Sequence, residues 1–249
     1  MLSKSTIKYI QSLQYKKFRD EYGVFIAEGP KVILELLKDG LFHCTALYAL
    51  ADWIDKIDVG IVKSLDTRLH VIQPFELEKI SHYTTPNAAV AVFEKRKQKA
   101  SANLENEITI ILDDIQDPGN LGTIIRTADW FGVKQLVCSE KTVDMYNSKV
   151  VQSTMASLGR VDVLYTDLNE WLKQKPAVKK YAAVVDNGKS LQSLEKKSGC
   201  MLMIGNESNG LSPEIMAFAD ERVTIPKLGE AESLNAAIAT AIMLYELKR

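Results

Sequence analysis

The sequence predicts an α/β protein of two domains, the second built on a parallel sheet covered on both faces. Three observations predict it. From Ile108 onward, short apolar runs alternate with helical stretches, and the runs are nearly continuous in apolar residues, as strands buried on both faces require. Before that point strands and helices alternate on a smaller scale, and a polar, charged, aromatic-poor stretch from Glu94 to Glu107 reads as a linker between the two. A chain of 249 residues, 46% hydrophobic and 25% charged, is long enough for two modest cores. The expected divisions are a domain at 1–95, a linker at 96–106 and a domain at 107–249.

The elements follow in order. Ser3 to Gln14 carries Ile7, Ile10 and Leu13 at helical spacing, with Lys4 and Lys8 one turn apart on another side. Val24 to Ala27 reads as a strand. Gly29-Pro30 opens a helix that Gly40 closes, with Pro at the first helical position and Gly just past the end. Short strands are expected at Ala46 to Leu50, Gly60 to Val62 and Leu69 to Ile72. A helix follows from Pro74 to about Ile80, then a strand from Ala88 to Phe93. In the second domain the candidate strands are 108–113, 135–138, 162–165, 180–185, 200–204 and 222–225, and an Ala-rich helix runs from Leu234 to about Leu247.

The formal net charge is −1, so the chain has no global basic signature of a nucleic-acid binder. Charge is uneven, however. Lys4, Lys8, Lys16, Lys17 and Arg19 cluster near the N-terminus, and Glu94 to Lys99 forms a second basic run; a solvated face or linker accounts for such runs equally well. Cys44, Cys138 and Cys200 show neither zinc spacing nor a disulfide framework. The polar opening has no signal-peptide character, and no apolar run is long enough to span a bilayer, so a cytoplasmic protein is expected. All three histidines lie in the first domain, which excludes a His base, a His metal site or a Ser-His-Asp triad in the second. Asp113-Asp114 does not make a metal pair, because neighbours on a strand point to opposite faces.

Three short segments carry the chemistry. Asp117-Pro118-Gly119-Asn120 reads as a type II turn, with Asn120 capping a helix from Leu121; Arg126 then lies one turn beyond Gly122, free for a ligand or paired with Asp129. Gly205-Asn206-Glu207-Ser208-Asn209-Gly210 follows an apolar strand and lets a ligand approach the main chain, or is a plain surface loop. It is neither a P-loop nor a dinucleotide fingerprint. Ile225-Pro226 ends a strand, Lys227 to Glu232 form a loop, and Ser233 is placed to cap the last helix. Ala236, Ala237, Ala239 and Ala241 give that helix a smooth side, for close packing or through helix propensity alone. Turns of this kind converge at one edge of a parallel sheet, where α/β proteins place ligands.

Taken in order behind the N-terminal unit, these motifs resemble the SpoU/TrmH family of RNA ribose 2′-O-methyltransferases over nearly the whole chain. The Lys-rich first helix, Phe25-Ile26-Ala27-Glu28-Gly29 and the helix after it look like that family's substrate-binding domain. The resemblance implies a SPOUT-like C-terminal trefoil knot, a rarity among folds, with the chain around 205–240 threaded through a loop. It implies S-adenosylmethionine as cofactor, no metal, and a homodimer with its active site at or near the interface. Residue by residue, Gly205, Asn206, Ile225, Leu234 and Ala237 match cofactor-holding positions, and Asn120, Arg126, Glu207, Ser233 and Asn235 the polar active-site set. Arg126 matches the residue proposed to activate the ribose hydroxyl, yet with a pKa above about 12 it suits holding a phosphate or an oxyanion better than acting as a base. Lys4, Lys8, Lys16 and Arg19 are the expected RNA contacts. Ribosomal RNA is preferred to tRNA as substrate, with neither DNA nor membrane as partner. A base-modifying methyltransferase of the same superfamily and a non-catalytic RNA-binding or ribosome-assembly factor are the alternatives.

Overall fold

The computed structural model of the protein describes residues 1–97, 106–190 and 199–249. The expected linker at 96–106 falls mostly outside them. Two compact units emerge: Met1–Lys97 with Asp144–Gly159, and Gln98–Val143 with Arg160–Arg249.

The first unit contains α1 (Lys4–Ser12), α2 (Lys16–Tyr22), β1 (Val24–Glu28), α3 (Pro30–Asp39), β2 (Cys44–Ala49), α4 (Ala51–Ile54), α5 (Val59–Leu65), β3 (Leu69–Val71), α6 (Pro74–Ile80) and β4 (Ala89–Glu94). Its sheet runs β1-β4-β2-β3, with β4 antiparallel to both neighbours and β3 parallel to β2. Ile10 and Leu13 of α1 and Leu77 and Ile80 of α6 pack on Val24, Ile26, Val90 and Val92, forming one core. Phe25, next to Val24 and Ile26 and therefore on the other face, stacks on Phe93 with ring centroids 5.7 Å apart.

Asp144–Gly159, which the expected boundaries assign to the second domain, groups here for two reasons. Tyr146 lies 4.8 Å from Phe25 between ring centroids, and Arg19 holds Asp144 through Nε at 3.1 Å and Nη2 at 2.7 Å.

One expectation for this unit is corrected. Gly60 to Val62 is helical, because the Asp58 carboxylate accepts from Gly60 N at 2.8 Å and Ile61 N at 3.3 Å and so caps α5. Helix α2 had no apolar signal of the usual kind: its periodic residues are aromatic and remain partly exposed. Gly23 ends it in the left-handed region at φ 67°.

The second unit contains β5 (Ile108–Asp113), α7 (Pro118–Trp130), β6 (Gln135–Ser139), β7 (Asp162–Thr166), α9 (Leu168–Lys173), β8 (Lys179–Ala183), β9 (Lys189–Ser190), β10 (Cys200–Gly205), α10 (Pro213–Met216), β11 (Glu221–Thr224) and α11 (Ala236–Lys248); α8 (Ser148–Thr154) belongs to the first. The sheet order is β7-β6-β5-β10-β8-β11-β9, and the paired strands are parallel. On one face Ile111, Val137, Met201 and Met203 pack against Leu168 and Leu172 of α9 and Ile215 of α10. The alternate residues Ile110, Leu112, Leu136 and Leu202 are equally buried, so both faces are covered, as the continuous apolar runs foretold. Helix α11 packs on α7 and against β10.

The three cysteines are free and buried, and burial pushes the thiols of Cys44 and Cys200 up to about 11. Among the described residues no helix is long and apolar enough to cross a membrane.

Candidate active site

Strands β5, β10, β8 and β11 are neighbours and parallel, so their carboxyl ends, Asp113, Gly205, Ala183 and Thr224, lie along one edge. The turns that follow β8, β10 and β11 line a cavity of about 740 Å³, the size of an ordinary small-ligand site. Its wall includes Gly205, Asn206, Glu207, Ile225, Ser233 and Leu234. Along α11, Ala236, Ala239 and Met243 line it at helical spacing. The two alanines leave the space that larger side chains would fill.

The β10 turn is built by close main-chain approach. Asn206 N donates to Gly210 O at 3.0 Å and Gly210 N to Asn206 O at 2.9 Å. A Cβ on Gly205 would stand 2.0 Å from the Gly210 carbonyl carbon, so only glycine fits. Asn206 Oδ1 accepts from Ser208 N and Asn209 N, at 3.0 and 3.1 Å, while its Nδ2 donates to Asp114 O at 2.8 Å. Asp113 fastens the far side of the turn: its Oδ2 accepts from Ser212 N at 2.8 Å and Ser212 Oγ at 2.7 Å. The paired aspartates are thus strand-end brackets on different neighbours.

The first motif differs from expectation. The helix begins at Pro118, not Leu121, and the cap is Asp117, whose side chain accepts from Asn120 N at 2.8 Å. Proline at the first helical position makes this start favourable, since its missing N–H would have had no helical partner. Asn120 is therefore inside the first turn, buried, and free to use its side chain elsewhere. Its Nδ2 donates to Glu207 Oε1 at 2.8 Å. Its Oδ1 accepts from Asn235 Nδ2 at 2.7 Å.

The third motif is corrected in the same way. Asn235, not Ser233, caps α11, its Oδ1 accepting from Ala237 N at 2.9 Å and Ile238 N at 3.2 Å. Ser233 is exposed on the cavity wall. One amide thus ends a helix and reaches across to the next motif. Asn235, Asn120 and Glu207 form a continuous chain through all three motifs.

Other expected residues lie elsewhere. Ala237 is buried, its N–H is spent on the Asn235 cap, and it does not line the cavity. Arg126 is exposed on α7, makes no hydrogen bond or ion pair among the described residues, and is also outside the cavity wall. The alternative partner, Asp129, is taken by Arg160 at 2.8 Å. In the first unit Lys4, Lys8 and Lys16 are exposed. Arg19, expected on RNA, is 3% exposed and commits its guanidinium to Asp144 and to the carbonyls of Leu13 and Gln14. It is a structural tie, since a long side chain with every donor group engaged and no exposure has nothing left for a phosphate. Sequence reading also missed Asp186, a carboxylate on the cavity wall. Its signal was the Asp186-Asn187-Gly188 turn after an apolar strand, with Asn187 at φ 57°.

Fold and cavity define an α/β ligand-binding domain with its site at the carboxyl edge of a parallel sheet, joined to a smaller domain with a separate sheet. The chain belongs to the SpoU rRNA Methylase family, whose model matches residues 107–245; residues 4–91 match the MRM3-like substrate binding domain. A solved TrmH-family structure from Porphyromonas gingivalis is 34% identical, with 99% of this chain and 98% of that one covered and a TM-score of 0.86. An AdoMet-bound rRNA methyltransferase from Sinorhizobium meliloti is 30% identical over 100% of this chain and 95% of that one, with a TM-score of 0.87. The 23S rRNA (guanosine(2553)-2′-O)-methyltransferase RlmP of Bacillus subtilis is 29% identical over 247 residues, 97% of this chain and 95% of its own length.

Proposed function

We propose that the protein transfers a methyl group from S-adenosylmethionine to a ribose 2′-hydroxyl of ribosomal RNA. The observation that carries this reading is the Asn235–Asn120–Glu207 chain beside a cavity of about 740 Å³ walled by the second and third motifs. The cavity fits the cofactor: it offers main chain at Gly205 and Ile225, apolar wall at Leu234 and Met243, and carboxylates at Asp186 and Glu207. When bound, the cofactor supplies an activated methyl group on a sulfonium. The residues then need only position a weak nucleophile and exclude water. Glu207 accepts from Asn120 and, at 3.4 Å each, from Gln116 N and Asp117 N, which fixes the first motif against the second. The Arg126 guanidinium holds an RNA phosphate bidentately or stabilises charge developing on the 2′-oxygen.

A homodimer completes this reading. Leu234, Ile238, Ile242 and Tyr245 are 48%, 53%, 37% and 54% exposed at helical spacing along and just before α11, and Trp130 at the end of α7 is 85% exposed. A helix apolar on every side is normally buried; a second copy would cover this stripe. The same association would bring an Arg126 to a cavity that lacks one in the single chain. The strand order supports the threaded C-terminus implied by the resemblance, and a ribosomal substrate implies a cytoplasmic enzyme.

The test is transfer of labelled methyl from S-adenosylmethionine to deproteinised ribosomal RNA and, separately, to bulk tRNA. Both RNAs come from a strain lacking the protein. Label recovered as 2′-O-methylnucleoside from ribosomal RNA, and lost with Arg126→Ala, is the expected result. Label in a methylated base, or in neither RNA, overturns the proposal.

A further inference from the structure

A ladder of four aromatic rings runs over the surface of the first unit. Tyr9 of α1 meets Tyr22 edge-on, with centroids 5.2 Å apart. Tyr22 stacks on Phe18 at 6.4 Å with an interplanar angle of 15°. Phe18 in turn meets Tyr15 edge-on at 6.4 Å. Positions 15, 18 and 22 share one face of α2. An aromatic helix face normally turns inward, but Tyr15 is 58% and Tyr22 48% exposed. Tyr9 packs against the core of Ile10, Leu13 and their partners, whereas Tyr15, Phe18 and Tyr22 are not among the residues of that core.

Its surroundings are cationic. Helices α1 and α2 hold five cations, Lys4, Lys8, Lys16, Lys17 and Arg19, against two acids, Asp20 and Glu21. Asp20 is already shared by Lys16 at 2.6 Å and Lys95 at 2.5 Å. Lys4 and Lys8 have no carboxylate partner among the described residues, and Lys17 Nζ sits 5.8 Å from the Phe18 ring centroid. Arg19 points inward.

We infer that the Tyr15–Phe18–Tyr22 face of α2 is a stacking platform for unpaired bases of the RNA, with Lys4, Lys8 and Lys17 holding the adjoining phosphates. The inference rests on the RNA substrate proposed above. Exposed aromatic rings among lysines match a single strand, which presents both π-faces and phosphates; a duplex hides its base faces within its own stack. Aromatic rings serve protein interfaces as well; the five cations against two acids on α1 and α2 are what favour a polyanionic partner. The N-terminal unit therefore selects a loop or bulge, where the first motif alone would accept any ribose.

The test uses the full-length protein and fluorescence anisotropy with two labelled RNAs, a hairpin with a large unpaired loop and a blunt duplex of equal length. Tyr15→Ala/Tyr22→Ala is expected to weaken loop binding about tenfold to a hundredfold, the effect of losing one or two stacked bases. Duplex affinity and the salt slope stay as in wild type, and Tyr15→Phe/Tyr22→Phe restores loop affinity. Lys4→Gln/Lys8→Gln weakens both RNAs and flattens the salt slope. Unchanged loop affinity in an alanine variant that melts like wild type overturns the platform. So does an equal loss for loop and duplex. Methyl transfer by the wild type, measured alongside, separates the two proposals. Transfer intact with loop affinity unchanged in the variant overturns the platform alone; no transfer to RNA, with Tyr-dependent loop binding, overturns the enzymatic reading alone.

Discussion

Asn235 donates to Asn120 across 115 positions of sequence at 2.7 Å, while the same side chain caps α11. The start of the last helix and the first turn of α7 are thereby held in one register, and Asn120 extends that register to Glu207 at 2.8 Å. Both ends of the Asn120 amide are engaged: Oδ1 accepts and Nδ2 donates.

Asn120→Ala is expected to cost about 1–3 kcal/mol of unfolding free energy, because it strands the Asn235 donor and removes a donor from Glu207. Urea denaturation measures this. Asn235→Asp keeps an equally good cap but cannot donate to Asn120. It should therefore weaken cofactor binding by calorimetry more than it lowers stability. The reverse order would mean that the relay serves folding alone.

Gly205→Ala places a methyl 2.0 Å from Gly210 C and 2.1 Å from Leu211 N, both main-chain atoms that cannot swing aside. The β10 turn must open, and cofactor binding by calorimetry should disappear. Gly210→Ala meets nothing within 4 Å and is strained only by φ +68°, so it should cost about 1–2 kcal/mol and retain binding. Equal effects of the two substitutions would contradict this account of the turn.

Arg126→Ala removes an exposed side chain that makes no bond among the described residues, so the melting temperature should not move. The methyl-transfer rate should fall about 10²–10³-fold, the usual effect of losing one charge-stabilising donor. Arg126→Lys should not restore it, since an ammonium lacks the bidentate fork. A melting shift with full activity would make Arg126 structural.

His82 gives the protein an acid-sensitive step. Burial lowers its pKa; the Glu28 carboxylate, 3.7 Å from Nδ1, pulls the other way, and Arg19 adds to the lowering. Both ring nitrogens are buried without a hydrogen-bond partner. The unfolded chain takes up a proton near pH 6.5 that the folded chain refuses, so stability falls as pH drops below about 6.5. The urea midpoint should decline from about pH 7.5 to 5, and His82→Gln should reduce that decline. The same slope in wild type and variant would place the sensitivity elsewhere.

Most strands of the second unit were legible from apolar runs, which a doubly covered parallel sheet favours; β9, the polar pair Lys189–Ser190, was not. The turns at Gly205 and Ile225 were legible for a related reason: glycine and proline act on their own backbone. Helix starts were less so. Asp117 and Asn120, or Ser233 and Asn235, are all good caps locally, and only the packed structure chose between them. Asn120 is drawn into the first turn by Glu207 and Asn235, both distant in sequence. Helix α5 was missed because Gly60-Ile61-Val62 has strand propensity that the Asp58 cap overrides. Arg19 was misjudged because a basic residue in a basic run looks solvated until its partner, Asp144, is brought beside it from 125 positions away.

By itself, then, the sequence determined the α/β class, most strand positions and the three motifs, since periodicity, glycine and proline act locally. Only the tertiary structure decided which polar side chains became caps, which became cross-links between motifs, and which were left facing solvent. Those outcomes depend on hydrogen-bond partners and burial, and both are supplied by residues far away along the chain.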